Sequence, residues 1–187
     1  TGKVNPSGKL PFSYPVKLED CPAHYYGAMS YPGDSIKQEY KEDILVGYRW
    51  YDTKNIKPLY SFGHGISYTT YAYSKPSISG KSISENGELT ISVKVKNTGK
   101  VKGKETVQLY IGDEKCSLLR PEKELKGFCK VELAPNEEKE VKFTIDANDL
   151  KFFDDRTQKW TVEPGKFKAY IAAASDDVRG VLEFEYK

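Results

Sequence analysis

The side chains able to do acid–base or nucleophilic work are few: two histidines, three cysteines and scattered carboxylates. His64 lies in LYSFGHGISYTTYAYS (Leu59–Ser74), bracketed by Gly63 and Gly65. A histidine acting as a general base needs a nucleophile within hydrogen-bond reach and a third group to orient its ring. No serine or cysteine in such a setting is evident beside His64. Flanking glycines permit positive φ and close backbone approach, so the stretch reads as a turn leading from one domain into the next. His24 sits in CPAHYYGAMSYPGD (Cys21–Asp34), beside Tyr25 and Tyr26. Binding groups concentrate on loops, which gives His24 the better claim to face a ligand; packing on a neighbouring domain is the alternative.

Aromatic residues extend that loop. Tyr25, Tyr26, Tyr31, Trp50 and Tyr51 could stack on the apolar face of a sugar ring, or could equally join two domains through their contact area. Within this set, His24, Tyr25, Tyr26 and Trp50 are the candidate ligand-binding residues. Glu39, Glu42 and Asp43 in QEYKED, with Asp52 beyond, form the obvious carboxylate cluster. Charge runs are ordinarily wet faces, and no catalytic pair is assigned to them. Arg49 and Arg120 are expected to pair with carboxylates at a junction, because the guanidinium fork suits a partly buried ion pair. Cys21, Cys116 and Cys129 form no CxxC pair, and no histidine stands at ligand spacing, so no zinc or other metal site is expected. A disulfide is left open. Cys129 falls in a strand-like run and reads as a free buried thiol.

The elements that must position these groups have two textures. VNPSGKLPFSYP (Val4–Pro15) and the Cys21–Asp34 stretch are rich in Pro, Gly and Tyr, which favours loops. DILVGYRWYD (Asp43–Asp52) reads as a short strand entering a turn. From about Tyr68 the pattern alternates with period two. Leu89, Ile91, Val93 and Val95 share one parity, and so do Val107, Leu109 and Ile111, Val131 and Leu133, Val141, Phe143 and Ile145, and Leu182, Phe184 and Tyr186. Turn signals such as Asn86-Gly87, Asn97-Thr98-Gly99 and Pro164-Gly165 separate the runs. Strands with one apolar face must bury it against another sheet, which predicts an antiparallel β-sandwich. The Cys…Trp…Cys signature of antibody domains is missing, and Trp160 comes late, before TVEPGKFKAYI, which favours a fibronectin type III-like variant. The 29 basic and 27 acidic residues leave a net charge of +2, a poor match for nucleic acid. No segment approaches the roughly 18 consecutive apolar residues of a membrane span. Thr1–Leu10 lacks signal-peptide features, and without an initiating Met the chain reads as beginning mid-protein.

NPSGKLPFSYP, YKEDILVGYRWYD, PLYSFGHGISYTTY, VKNTGKVKGKETVQLYI, RPEKELKGFCKVEL and WTVEPGKFKAYI stand in the order and approximate spacing of the C-terminal end of glycoside hydrolase family 3. The chain resembles that family, its β-glucosidases of bacterial type in particular, from Asn5 to about Ser175. Members with such a tail consist of a (β/α)8 barrel, an α/β sandwich domain and a fibronectin type III-like domain. The resemblance implies a mainly β chain, with residues 1–66 as the C-terminal, loop-rich tail of the α/β sandwich domain and residues 67–187 as the fibronectin type III-like β-sandwich.

The same resemblance implies a retaining glycosidase that releases terminal β-linked glucose without cofactor or metal. Its nucleophilic Asp and acid/base Glu would lie upstream of Asn5, outside this chain. The fragment is then structural. Its partners are the missing barrel, the remainder of the α/β sandwich domain and a carbohydrate substrate, with neither nucleic acid nor membrane. His24, Tyr25, Tyr26 and Trp50 would form the rim of an outer sugar subsite. The compartment is left open, with periplasmic or secreted favoured over cytoplasmic. The alternative is a stand-alone β-sandwich module binding a glycan or a protein.

Overall fold

A computed structural model describes residues 2–187. Its strands are β1 (Tyr71–Tyr73), β2 (Ser77–Ile78), β3 (Ser82–Ile83), β4 (Glu88–Asn97), β5 (Gly103–Asp113), β6 (Glu124–Leu133), β7 (Glu138–Asp146), β8 (Phe152–Asp154), β9 (Lys159–Thr161), β10 (Gly165–Ala174) and β11 (Asp177–Tyr186). Three short α-helices, α1 (Pro22–Tyr25), α2 (Tyr48–Thr53) and α3 (Ala147–Leu150), and one 3-10 turn at Leu18–Asp20 accompany them among the described residues. In one sheet β4 is central: β7 pairs along one edge, from Glu88↔Asp146 to Lys96↔Glu138, while the short β1 and β2 share the other. The second sheet has the order β3-β11-β10-β5-β6, and β8 and β9 form a separate hairpin. The result is the expected sandwich.

Alternation explains the core. Leu89, Ile91, Val93 and Val95 on β4 face Val107, Leu109 and Ile111 on β5 and Phe167, Ala169 and Ile171 on β10, all within one buried cluster. Phe167 and Phe184 stack across β10 and β11 with ring centroids 5.7 Å apart. Asn97 continues the buried parity of β4 and satisfies it with four bonds. Its Nδ2 donates to the carbonyls of Val101 (2.8 Å) and Leu133 (3.0 Å), and its Oδ1 accepts from Thr69 Oγ1 (2.6 Å) and the Gly99 amide (3.0 Å). A buried amide so satisfied fixes register where apolar contacts alone would permit sliding.

β5 departs from simple alternation: Gln108 and Tyr110, on its outer parity, are also buried. The N-terminal segment covers that face. The Tyr48 ring lies 5.5 Å from Tyr110 and 5.0 Å from Phe62, and the Ser175 amide donates to the Phe62 carbonyl at 2.8 Å. Strands covered on both faces read as near-continuous apolar runs, as TVQLYIG does here. A second, smaller cluster of Leu45, Trp50 and Tyr51, flanked by Tyr26 and Ile56, holds the N-terminal segment itself.

The expected strand within Asp43–Asp52 is instead a turn followed by α2. The fold needs two opposed faces from this short stretch, and a helical turn supplies them. Tyr48, Arg49, Asp52 and Thr53 point one way and Trp50 the other. Among the described residues, no helix is long and apolar enough to cross a membrane.

Candidate functional site

α2 is the joint between the aromatic loop and the sandwich. On its sandwich side, Tyr48 Oη accepts from the Leu125 amide and Thr53 Oγ1 from the Glu122 amide, both at 2.8 Å. Asp52 Oδ2 lies 2.8 Å from Lys123 Nζ, and both side chains are largely buried. Arg49 reaches Glu124 at 3.4 Å, and Arg120 binds Glu124 at 2.8 Å and Asp113 at 3.2 Å. Both arginines therefore pair with carboxylates, as their chemistry suggested. Asp52 is not on a wet face, nor is Glu42, which is only 7% exposed. The turn into α2 folds both inward. Glu39 and Asp43 behave as the charge run suggested: Asp43 is exposed, and Glu39 is bound to Lys37 and Lys41 at the surface.

On the opposite side, Trp50 is 0% exposed, with Tyr25 at 5.0 Å, Tyr26 at 5.7 Å and its Nε1 donating to the Asp20 carbonyl at 3.0 Å. A ring so enclosed offers no face to a ligand, which corrects its expected place on a binding rim. Burial lets Trp50 orient Tyr25 instead. Tyr25 is 55% exposed, and Tyr31, also exposed, packs on His24 at 4.5 Å. His24 and Tyr26 are half-buried. His24, Tyr25 and Tyr31 thus form the accessible aromatic surface, supported from beneath by Trp50 and Tyr26. Tyr51 is buried, its hydroxyl 4.0 Å from Cys21 Sγ. All three cysteines are free, and Cys129 on β6 is half-buried against the sandwich core rather than fully enclosed.

His64 sits where two extended segments meet: the Leu10 amide donates to its carbonyl at 2.9 Å and the Gly63 amide donates to Leu10 at 2.8 Å. Gly63 has φ of +83°, and a Cβ on Gly65 would stand 2.4 Å from the Gly8 carbonyl oxygen. Both glycines are thus required by backbone geometry. Gly65→Ala is expected to lower stability by about 1–3 kcal/mol, the usual range for overpacking, and His64→Ala by under about 1 kcal/mol. Urea unfolding midpoints check this, and the reverse order would return His64 to a specialised role.

Comparison with known proteins fits this geometry. Residues 105–175 match the family model of the fibronectin type III-like domain. β-Glucosidase BoGH3A of Bacteroides ovatus is 70% identical over all of this chain, which covers 25% of that protein. Thermostable β-glucosidase B of Acetivibrio thermocellus is 50% identical over 95% of the chain and 23% of its own length. The crystal structure of the Bifidobacterium adolescentis GH3 β-glucosidase superposes with a TM-score of 0.90 at 34% identity, covering 99% of this chain and 26% of that one. The chain is homologous to the C-terminal part of glycoside hydrolase family 3 β-glucosidases. It spans about a quarter of the length of these relatives.

Sequence reading missed the Asp52–Lys123 pair and the burial of Glu105 on β5. The available signal for Glu105 was parity, since it alternates in step with Val107 and Leu109. Electrostatics at the joint pull in opposite directions. Burial raises the Asp52 pKa, though Lys123 opposes it. Burial also works against Glu124, but Lys126, Arg120 and Arg49 together outweigh it and hold its pKa below the ordinary value. A lowered carboxylate pKa contributes stability that is present above the ordinary pKa and is lost as pH falls through the folded value; a raised one contributes stability present at low pH and lost as pH rises. Glu124→Gln is therefore expected to lose less stability than the native chain between about pH 5 and about pH 3. Urea midpoints measured across that range test it; parallel profiles would rule out the contribution of Glu124.

Proposed function

We propose that this chain is the C-terminal portion of a retaining β-glucosidase that releases terminal β-linked glucose, and that the portion itself is structural. The observation that carries the reading is the match, along the whole chain, to one quarter of proteins named β-glucosidase. The surface supports it. Most of the exposed large apolar side chains lie before residue 70, including Leu18, Ile36 at 91%, Tyr40 at 73% and Leu59. A concentration of this kind marks an interaction surface, and the remaining domains of a longer polypeptide, a (β/α)8 barrel and the rest of an α/β sandwich domain, are its natural cover.

In this reading residues 1–66 complete the α/β sandwich domain and residues 67–187 form the strut that holds it. Retaining hydrolysis needs two carboxyl groups about 5–5.5 Å apart, one to attack the anomeric carbon and one to protonate the leaving oxygen. Both come from the missing domains. His24, Tyr25 and Tyr26 border an outer sugar subsite, with Trp50 holding Tyr25 in place. Intact mass of the polypeptide in its native source tests the proposal. A mass several-fold above that of this chain supports it, and a native polypeptide of this size would favour a glycan- or protein-binding module.

A further inference from the structure

Glu105 breaks the logic of the sandwich core. It shares the inward parity of Val107, Leu109 and Ile111, and it is 5% exposed. A buried charge is costly unless paired and fully hydrogen-bonded. Asn97, also on a core-facing parity, is fully bonded, whereas Glu105 accepts one short bond, from Tyr73 Oη at 2.9 Å, and has a loose ion pair with Lys9 Nζ at 3.7 Å. Desolvation accordingly pushes its pKa up. Tyr71, which pairs with Asn97 in the ladder, has a buried hydroxyl with no partner among the described residues. Both Glu105 and Tyr71 line one cavity of about 360 Å³ between the Pro6–Lys9 turn, the segment after Gly65 and the sandwich.

Charge decides what this cavity can hold. Lys9, Lys104 and Arg179 in its wall oppose a metal cation, and Glu105 and Asp177 oppose a phosphate. A neutral molecule with donors and acceptors on adjacent atoms suits both signs. Vicinal hydroxyls can donate to the free lone pairs of the carboxylate and accept from the ammonium of Lys9. The volume is at the lower end for small-molecule sites, enough for one sugar ring. We propose that this cavity binds a single neutral pyranose, with Glu105 as the acceptor and Lys9 as the donor. The site is separate from the aromatic loop at Tyr25 and does not rest on the catalytic reading.

Titration of D-glucose into the isotopically labelled chain, followed by amide NMR, tests the site. The expected result is saturable shifts confined to residues 7–9, 65–71, 104–106 and 173–179. Glu105→Gln, which keeps a partner for Tyr73 while removing the buried charge, should weaken binding about tenfold or more. Lys9→Met should weaken it several-fold, and supplies the same reading if Glu105→Gln does not fold. Absence of shifts at about 100 mM glucose, far above any useful affinity, would overturn the proposal. Shifts centred on the Tyr25 loop, or affinity unchanged in either variant, would do so equally.

Discussion

Trp50→Ala is expected to lower stability by about 3–5 kcal/mol, the range for removing a fully buried large aromatic side chain. The ring is enclosed by Tyr25 and Tyr26, bonded through Nε1 to the Asp20 carbonyl, and covered by Lys54, whose Nζ lies 5.5 Å from its centroid. Its neighbours Leu45 and Tyr51 belong to the small cluster, not to the sandwich core. The loss should therefore be local first. Amide exchange should accelerate through residues 20–56 while β4, β5 and β10 keep their protection, because separate clusters open as separate units. Uniform acceleration across both regions would show instead that the two cores unfold as one.

Lys123→Met is the second large effect. It leaves the Asp52 carboxylate buried without its ammonium partner, and breaking a buried pair from one side ordinarily costs about 3–5 kcal/mol. The lower end is expected, since burial already raises the Asp52 pKa and a proton can replace the lost charge. For the same reason the loss should shrink at acid pH, where Asp52 is neutral. Lys123 Nζ also lies 5.9 Å from the Tyr110 and Tyr170 ring centroids, contacts that methionine retains as packing. Asp52→Asn combined with Lys123→Met should recover about 1–2 kcal/mol relative to the sum of the single losses. Strict additivity in that cycle would mean the two groups do not interact.

Much of the sandwich was legible because β4 faces its partner sheet with one side and water with the other, so Leu89 to Val95 alternate cleanly. β5 was harder to read. Its Gln108 and Tyr110 are buried by residues more than forty positions earlier, and no local pattern announces such cover. α2 was misread as a strand because six residues are too few to establish helical periodicity, and β-branched or aromatic content is equally at home in a strand. The same turn hid Asp52, whose partner Lys123 is remote in sequence and meets it only in the folded chain. His64 was readable as a turn because its glycines are a backbone requirement written locally. Trp50 was not placed correctly, since an aromatic residue in a loop-rich stretch has the same sequence signature whether it faces a ligand or supports one that does.

An assay of aryl β-glucoside hydrolysis by the purified 187 residues, run beside the polypeptide isolated from the native source, separates a structural portion from a catalytic one. Absence of turnover by the short chain and turnover with retention by the native polypeptide is the predicted result, because neither carboxyl group of a retaining pair is assigned to these residues. Hydrolysis by the 187 residues alone, persisting after contaminating glucosidases are removed, would contradict the account and place the catalytic pair within this chain.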